Sequence, residues 1–300
     1  MNFALLSDGR LLFIMVLAAA VAMLSTLNIA ARPAAIRTKQ VALALAVSAV
    51  FFMFTRFANL FYLPILATYV DRATRTGQTE VLYQQIQWVV VGAALGAFFS
   101  WILLPTFTAI YERGIRGVTA RGSMLKVLLA LPTPRGLKAL WGCWRSPLEL
   151  KTWLQPPAAP DPSSETPPQF EKPWGLLSWN TFASAVWTVG ALAALQVSAL
   201  FPQLEATSVL LSGVVNSFAA IAFSIFVDPR AAVITDQAVN GKRPAQHVLE
   251  LTFYLGITNF IGSLLGLFTF PLAIQLISFT TAQLGEASMS QNMWLVISLN

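Results

Sequence analysis

The chain is predicted to be an all-α, polytopic membrane protein of about six transmembrane helices, two of them long and proline-interrupted. Three observations predict this. Only 11% of its 300 residues are charged and 56% are hydrophobic, whereas a soluble domain carries about 25% charged residues. Several apolar stretches reach the about 20 residues that a helix needs to cross a hydrocarbon core of roughly 30 Å. Lysine and arginine, finally, gather in alternate connections between those stretches.

The first span is expected at about 11–31, ending at Arg32-Pro33. It is longer than the apolar core of a signal peptide, and no convincing cleavage site follows, so it reads as a retained helix. The second runs from about Val41 to Val70 and contains Arg56, Asn59 and Pro64. It exceeds one perpendicular crossing and must tilt, kink or break. The third covers about 86–111, the fourth about 174–201, the fifth about 207–227 and the sixth about 248–280, with Pro271 near its end. Trp294 to Leu299 is apolar but too short to cross.

This divides the chain into an N-terminal membrane half (1–111), a central region (112–173) and a C-terminal membrane half (174–300). In the central region, 123–154 mixes Leu and Trp with basic residues, which suits short amphipathic helices on a membrane surface. The stretch 156–173 is rich in Pro, Ser and acid and reads as a linker.

Basic residues set the expected orientation. The connection between the first two spans holds Arg32, Arg37 and Lys39, the central region nine more, and the connection between the last two Arg230, Lys242 and Arg243, together 15. The other side holds three, Arg10, Arg72 and Arg75, with Arg56 inside the second span. The basic connections are therefore expected in the cytoplasm and both termini outside.

The run Ala34-Ala35-Ile36-Arg37-Thr38-Lys39-Gln40 is echoed by Ala231-Ala232-Val233-Ile234-Thr235-Asp236-Gln237. Each follows a proline at a helix end and precedes a long helix with a proline of its own. Duplication is one origin for such an echo, since transporters are often built from repeats; chance in a chain of skewed composition is another.

Arg56 is the most informative residue. An arginine at the centre of a membrane helix costs about 2.5–3.5 kcal/mol on insertion scales, so it is expected to face protein or a water-filled cavity. Asn59 lies one turn on, and a guanidinium beside an amide suits capture of a phosphate or carboxylate. The alternative is a structural arginine bonded to backbone or snorkelling to one surface. On the sixth span Thr252, Asn259, Ser263 and Gly266 share a face, with Asn259 the candidate for lining a cavity. Gly92 with Gly96, and Gly262 with Gly266, form GxxxG pairs that favour close helix packing or a homodimer face. Asp228-Pro229 reads first as a helix N-cap and N1. Asp228, Arg230, Asp236 and Glu250 are also candidates for a charged gate with Arg32, Arg37 and Lys39.

One cysteine, Cys143, and one histidine, His247, exclude a disulfide framework and a Cys- or His-cluster metal site. No phosphate-binding GxxxxGK[ST] loop, HExxH or GxSxG motif is present. No cofactor, metal or nucleic-acid partner is expected, and transport is favoured over catalysis.

Leu27 to Lys39, continued by Thr55-Arg56-Phe57-Ala58-Asn59 to Pro64 and by Val70-Asp71, resembles the Amj family of bacterial lipid II flippases, which can act in place of MurJ. The blocks Val227-Asp228-Pro229-Arg230-Ala231-Ala232 and Thr235-Asp236-Gln237 are similar to a second part of that family. The resemblance is weak from about Arg113 to Pro173. It implies a multi-pass protein of the bacterial plasma (inner) membrane that moves lipid II, undecaprenyl pyrophosphate carrying a disaccharide-pentapeptide, to the outer leaflet without ATP hydrolysis. Arg32, Arg37 and Lys39 would collect the pyrophosphate and Arg56 and Asn59 would accompany it at depth. Outward movement of negative charge is favoured by about 2.3 kcal/mol per charge per 100 mV. Two other readings stay open: a membrane enzyme acting on a polyprenyl-phosphate-linked sugar, and a non-transporting scaffold for envelope enzymes.

Overall fold

The computed structural model describes residues 3–130, 133–134, 138, 141–142 and 170–298, with side-chain surroundings within 5–285. It is all-helical, and six stretches are long and apolar enough to cross a membrane: Gly9–Thr38, Val41–Thr76, Thr79–Ile102, Trp174–Leu200, Pro202–Val239 and Ala245–Gly285. The protein is a multi-pass membrane protein, as its composition predicts.

Span 1 is α1 (Gly9–Thr26), a 3-10 turn (Leu27–Ala30) and α2 (Ala31–Thr38). The expected stop at Arg32-Pro33 is therefore wrong. A proline has no N–H to donate and its ring crowds the carbonyl four residues back, but it is tolerated in a helix's first turn. The chain tightens into 3-10 geometry just before Pro33 and then continues. Span 2 is one helix, α3 (Val41–Thr76), with Pro64 inside it. Its 36 residues would extend about 54 Å at a rise of about 1.5 Å each.

Span 3 is α4 (Thr79–Ile102), and a single residue, Leu103, separates it from α5 (Leu104–Arg121). The expected boundary at 111 thus falls inside α5. The short α6 (Met124–Ala130) lies in the segment expected to form surface helices; most of 123–154 and of 156–173 lies outside the described residues. Span 4 is α7 (Trp174–Leu200). Span 5 joins α8 (Glu205–Ala222), a π-helical turn (Phe223–Val227) and α9 (Asp228–Val239). Span 6 belongs to α10 (Ala245–Ser298), which carries Pro271 inside it.

Short connections join span 1 to span 2, span 2 to span 3, span 4 to span 5 and span 5 to span 6. Lys39 and Gly77 close α2 and α3 in the left-handed conformation, at φ 55° and 69°. Glycine adopts that conformation freely, whereas lysine does so with strain. The fourth span is the central one: α7 is largely buried and packs on α10, α8 and α4. Two apolar clusters fill the bundle. One, nearer the chain start, includes Leu11, Ile14, Leu66, Leu82, Ile86 and Phe270. The other lies at the opposite end, where the basic residues gather, and includes Ala34, Ala35, Leu104, Tyr111, Ile115 and Leu251.

Lipid is as apolar as leucine, so helices in a bilayer are held by close contact rather than by a hydrophobic drive. The GxxxG pairs supply it. A Cβ on Gly92 would stand 2.7 Å from the Met15 carbonyl oxygen, and one on Gly96 would overlap the Ala19 backbone. Gly262 lies equally close to Thr181 and Ser184. Both pairs are engaged inside the chain, seating α1 on α4 and α7 on α10, and so are not the homodimer faces that sequence suggested.

Candidate functional site

At the basic end, two kinked spans meet. Pro229 cannot donate to the carbonyl of Ile225, and the helix widens by one residue ahead of it: the Asp228 N–H reaches the Phe223 carbonyl, five residues back. Asp228 is therefore the first residue of a continued helix and caps nothing with its side chain. The N-cap expectation is corrected, and span 5 reaches Val239 rather than ending near Val227.

The same device operates in span 1, where the 3-10 turn precedes Arg32-Pro33. A charged residue thus stands directly before a proline at each joint. These two positions meet: Arg32 Nη2 donates to Asp228 Oδ1 at 2.9 Å. The Arg32 side chain is 18% exposed and that of Asp228 60%. The guanidinium is therefore held mostly within protein while the carboxylate keeps much of its water. This bond ties α2 to α9, the two segments that carry the sequence echo, across 196 residues of chain.

Below the joint of span 1, Asn28 Oδ1 accepts hydrogen bonds from Tyr111 Oη (3.0 Å) and Ser48 Oγ (3.3 Å). The irregular turn is thereby fastened to α5 and α3. The other gate candidates do not converge on the pair. Arg37 Nη1 stands 3.7 Å from Glu112 Oε2, and Arg116 Nη2 lies 2.6 Å from Glu112 Oε1. Arg230 is exposed, over the start of α7, where its Nη1 would meet a Cβ on Gly175 at 3.3 Å. Asp236 is exposed and Glu250 is half-buried on α10.

Two cavities open at this end. One of about 340 Å³ is lined by Arg37, Thr38, Gln40, Arg116, Thr119 and Ala120. One of about 460 Å³ is lined by Ala232, Val233, Asp236, Gln237 and Lys242. Each is lined in part by one of the two echoed runs, the first with two arginines and the second with an acid and a lysine. Among the described residues no group of three or more His, Cys, Asp or Glu is placed to hold a metal ion.

Arg56 and Asn59 sit elsewhere. Arg56 is exposed on the outer face of α3, with its guanidinium 4.9 Å from the centre of the Phe52 ring. The neighbouring Thr55 turns inward and is buried. Arg56 thus does not face the protein interior, and Asn59, half-buried, lies one turn on. An apolar span leaves the direction of its one cation unspecified, and here the cation faces away from the bundle.

Asn259 faces α7 rather than an open cavity. Its Oδ1 accepts from Asn180 Nδ2 (2.9 Å) and Ser184 Oγ (2.6 Å), while Asn180 also donates to Thr258 Oγ1 at 2.8 Å. Thr188 donates to Ser263 at 3.3 Å along the same seam. Asn180, Asn28 and Glu112 were missed in sequence. A lone amide in an apolar run was the available signal for the first two, and Glu112 spaced four residues from Arg116 for the third.

At the opposite end Asp8 caps α1 through the Arg10 N–H at 2.9 Å, and Tyr69 Oη donates to it at 3.0 Å. Burial acts to raise the Asp8 carboxyl. The Arg10 and Leu11 N–H groups and the Tyr69 hydroxyl outweigh it and hold the group below its ordinary value of 3.8.

The arrangement provides a charged tie between two spans interrupted by irregular turns, cationic side chains beside a cavity, and one exposed cation about midway along an outer helix face. Comparison with known proteins bears on what it serves. A family model described as "Amj: Alternate to MurJ" matches residues 17–281, a range that reaches into all six spans. The chain is 25% identical over 260 residues to "Lipid II flippase Amj" of Bacillus subtilis (strain 168), a match covering 85% of this chain and 91% of that protein. No solved structure matches it.

Proposed function

The chain belongs to the Amj family, and on that premise we propose that it is a lipid flippase. It carries lipid II from the cytoplasmic to the outer leaflet of a bacterial plasma membrane without hydrolysing ATP. The family match across all six spans is the observation that carries this reading. The surplus of basic residues in the connections at the Arg32–Asp228 end supports a cytoplasmic location for that end, with the Asp8–Tyr69 end outside.

The lipid tail stays in the bilayer while the pyrophosphate needs cationic partners wherever it leaves water. Arg37, beside the arginine-lined cavity, meets it at the cytoplasmic face. Arg56, facing outward about midway along α3, meets it at depth together with Asn59. The Arg32–Asp228 bond is the gate: it holds α2 and α9 together in the state seen here and separates when the headgroup passes. A membrane potential, inside negative, drives the anion outward by about 2.3 kcal/mol per charge per 100 mV.

The test is purified protein in liposomes with fluorescent lipid II, scored by exposure to an added impermeant quencher. Faster equilibration between leaflets, lost in a folded Arg56→Ala protein, is expected. Equilibration no faster than in empty liposomes, with folded protein and an imposed potential, would overturn the flippase reading. Full flipping by Arg56→Ala would remove the role given to Arg56.

A further inference from the structure

We propose that the cavity between α2 and α5 is a diphosphate-binding site whose two arginines are held from behind by Glu112 until substrate arrives. Two guanidiniums from different helices converge on this one carboxylate, Arg37 on Oε2 and Arg116 on Oε1. Both arginines also line the cavity. Glu112 is only 19% exposed, whereas Arg37 and Arg116 are 42% and 68% exposed. The cations therefore face solvent while the acid that holds them lies behind.

The remaining polar lining is biased toward donors. Thr119 Oγ1 lies 2.8 Å from Gln40 Oε1 and 3.0 Å from the Ile115 carbonyl, which holds the Gln40 amide at the cavity, where its NH₂ is a donor. Two guanidiniums and an amide NH₂ form a set suited to the oxygens of a diphosphate, because arginine presents paired donors in a fixed fork. The volume of about 340 Å³ corresponds to roughly ten waters at about 30 Å³ each, enough for a diphosphate group. The second cavity at this end is larger but carries Asp236 against a single lysine, Lys242. It serves as an internal contrast in which an anion is disfavoured.

Exchange follows from charge. A diphosphate brings more negative charge than one carboxylate and pairs with both arginines at once, and Glu112 gives way to it. The assignment to a polyprenyl diphosphate, rather than to a soluble one, rests on the flippase reading above.

The experiment uses the full chain in nanodiscs and calorimetric titration with inorganic pyrophosphate. Arg116→Gln and Arg37→Gln are each expected to weaken binding about tenfold, the value of one charge-assisted contact. Glu112→Gln removes the competing carboxylate and is expected to tighten binding, an effect that a misfolded protein does not produce. Lys242→Gln is expected to change nothing. Unchanged affinity in both Arg116→Gln and Glu112→Gln, or no binding by the unaltered protein, would overturn the site even if lipid II is flipped. A polyprenyl diphosphate added to the nanodisc bilayer is expected to displace pyrophosphate; failure to do so would overturn the lipid assignment and leave a soluble anion as ligand. Binding that follows the expected pattern in a protein that flips no lipid II would uphold the site and defeat the flippase reading alone.

Discussion

Removing the carboxylate of Asp228 leaves the Arg32 guanidinium, 18% exposed, without its acid at the joint between spans 1 and 5. A hydrogen bond to a charged group contributes about 1.5–3 kcal/mol net, and an exposed ion pair about 0.2–1 kcal/mol. With one partner mostly covered and the other 60% exposed, the pair belongs between those ranges, at about 1.4 kcal/mol, a factor of about ten in a two-state equilibrium. The effect is asymmetric. Asp228→Asn strands a covered cation and is expected to shift the population about tenfold away from the state seen here, whereas Arg32→Gln strands only a hydrated acid and shifts it less. The assay is thiol labelling of Ala35→Cys, a buried position on α2, in a chain whose single cysteine, Cys143, is replaced by serine. Labelling by an impermeant maleimide is expected to rise about tenfold with Asp228→Asn and less with Arg32→Gln. The two changes together are expected to be non-additive by about 1 kcal/mol or more. Equal labelling in all four proteins, or additivity within about 0.3 kcal/mol, would refute the tie as an energetic link between α2 and α9.

Three further expectations follow from packing and charge. Gly96→Ala places a Cβ into the Ala19 backbone and is expected to destabilise the bundle by about 1–3 kcal/mol. Gly213→Ala, with nothing within 4 Å, is expected to be neutral or to stabilise by up to about 1 kcal/mol; thermal denaturation in detergent compares the two, and equal shifts would contradict the α1–α4 seam. Asn180→Ala removes donors from the Asn259–Thr258 cluster, and since hydrogen bonds between membrane helices average about 0.6 kcal/mol, a modest loss in an SDS-unfolding titration is expected. A loss of several kcal/mol there would mean that the network does more than pack. The Asp8 carboxyl is held below its ordinary 3.8 in the folded protein, so its stabilising contribution is complete above that value and disappears as pH falls through the lowered one. Unaltered protein is therefore expected to lose more melting temperature than Asp8→Asn between about pH 6 and pH 3; parallel losses would show that the Asp8–Tyr69 contact adds nothing.

Much of this molecule was legible in its sequence because a bilayer imposes a length and a polarity on every span. The apolar stretches located all six helices, and the GxxxG pairs marked the two seams where backbones approach. Arg32 and Asp228 were both among the expected gate charges, but nothing in the sequence selected this pair from the other combinations. Sequence reads an X-Pro pair as a terminus, while Pro33 and Pro229 here each sit in the first turn of a resumed helix after a 3-10 or π turn. That rewinding carries both spans further and brings their charged residues together. The direction of Arg56 was illegible for a different reason. A membrane span is apolar all round, so periodicity does not say which face meets protein, and only packing turned Thr55 inward and Arg56 outward. Asn180 and Asn259 could be seen as polar residues in apolar runs, but their mutual bond depends on the pairing of α7 with α10.

The most direct test of the account joins its function to its gate. Cysteines at Arg32 and Asp228, in the Cys143→Ser chain, are bridged by a short bifunctional thiol reagent that a reductant cleaves, and lipid II equilibration is followed in liposomes before and after cleavage. The account predicts that flipping stops in the bridged protein and resumes on cleavage. Flipping at the same rate in bridged and cleaved protein would show that lipid II crosses without separation of α2 and α9, and would contradict it.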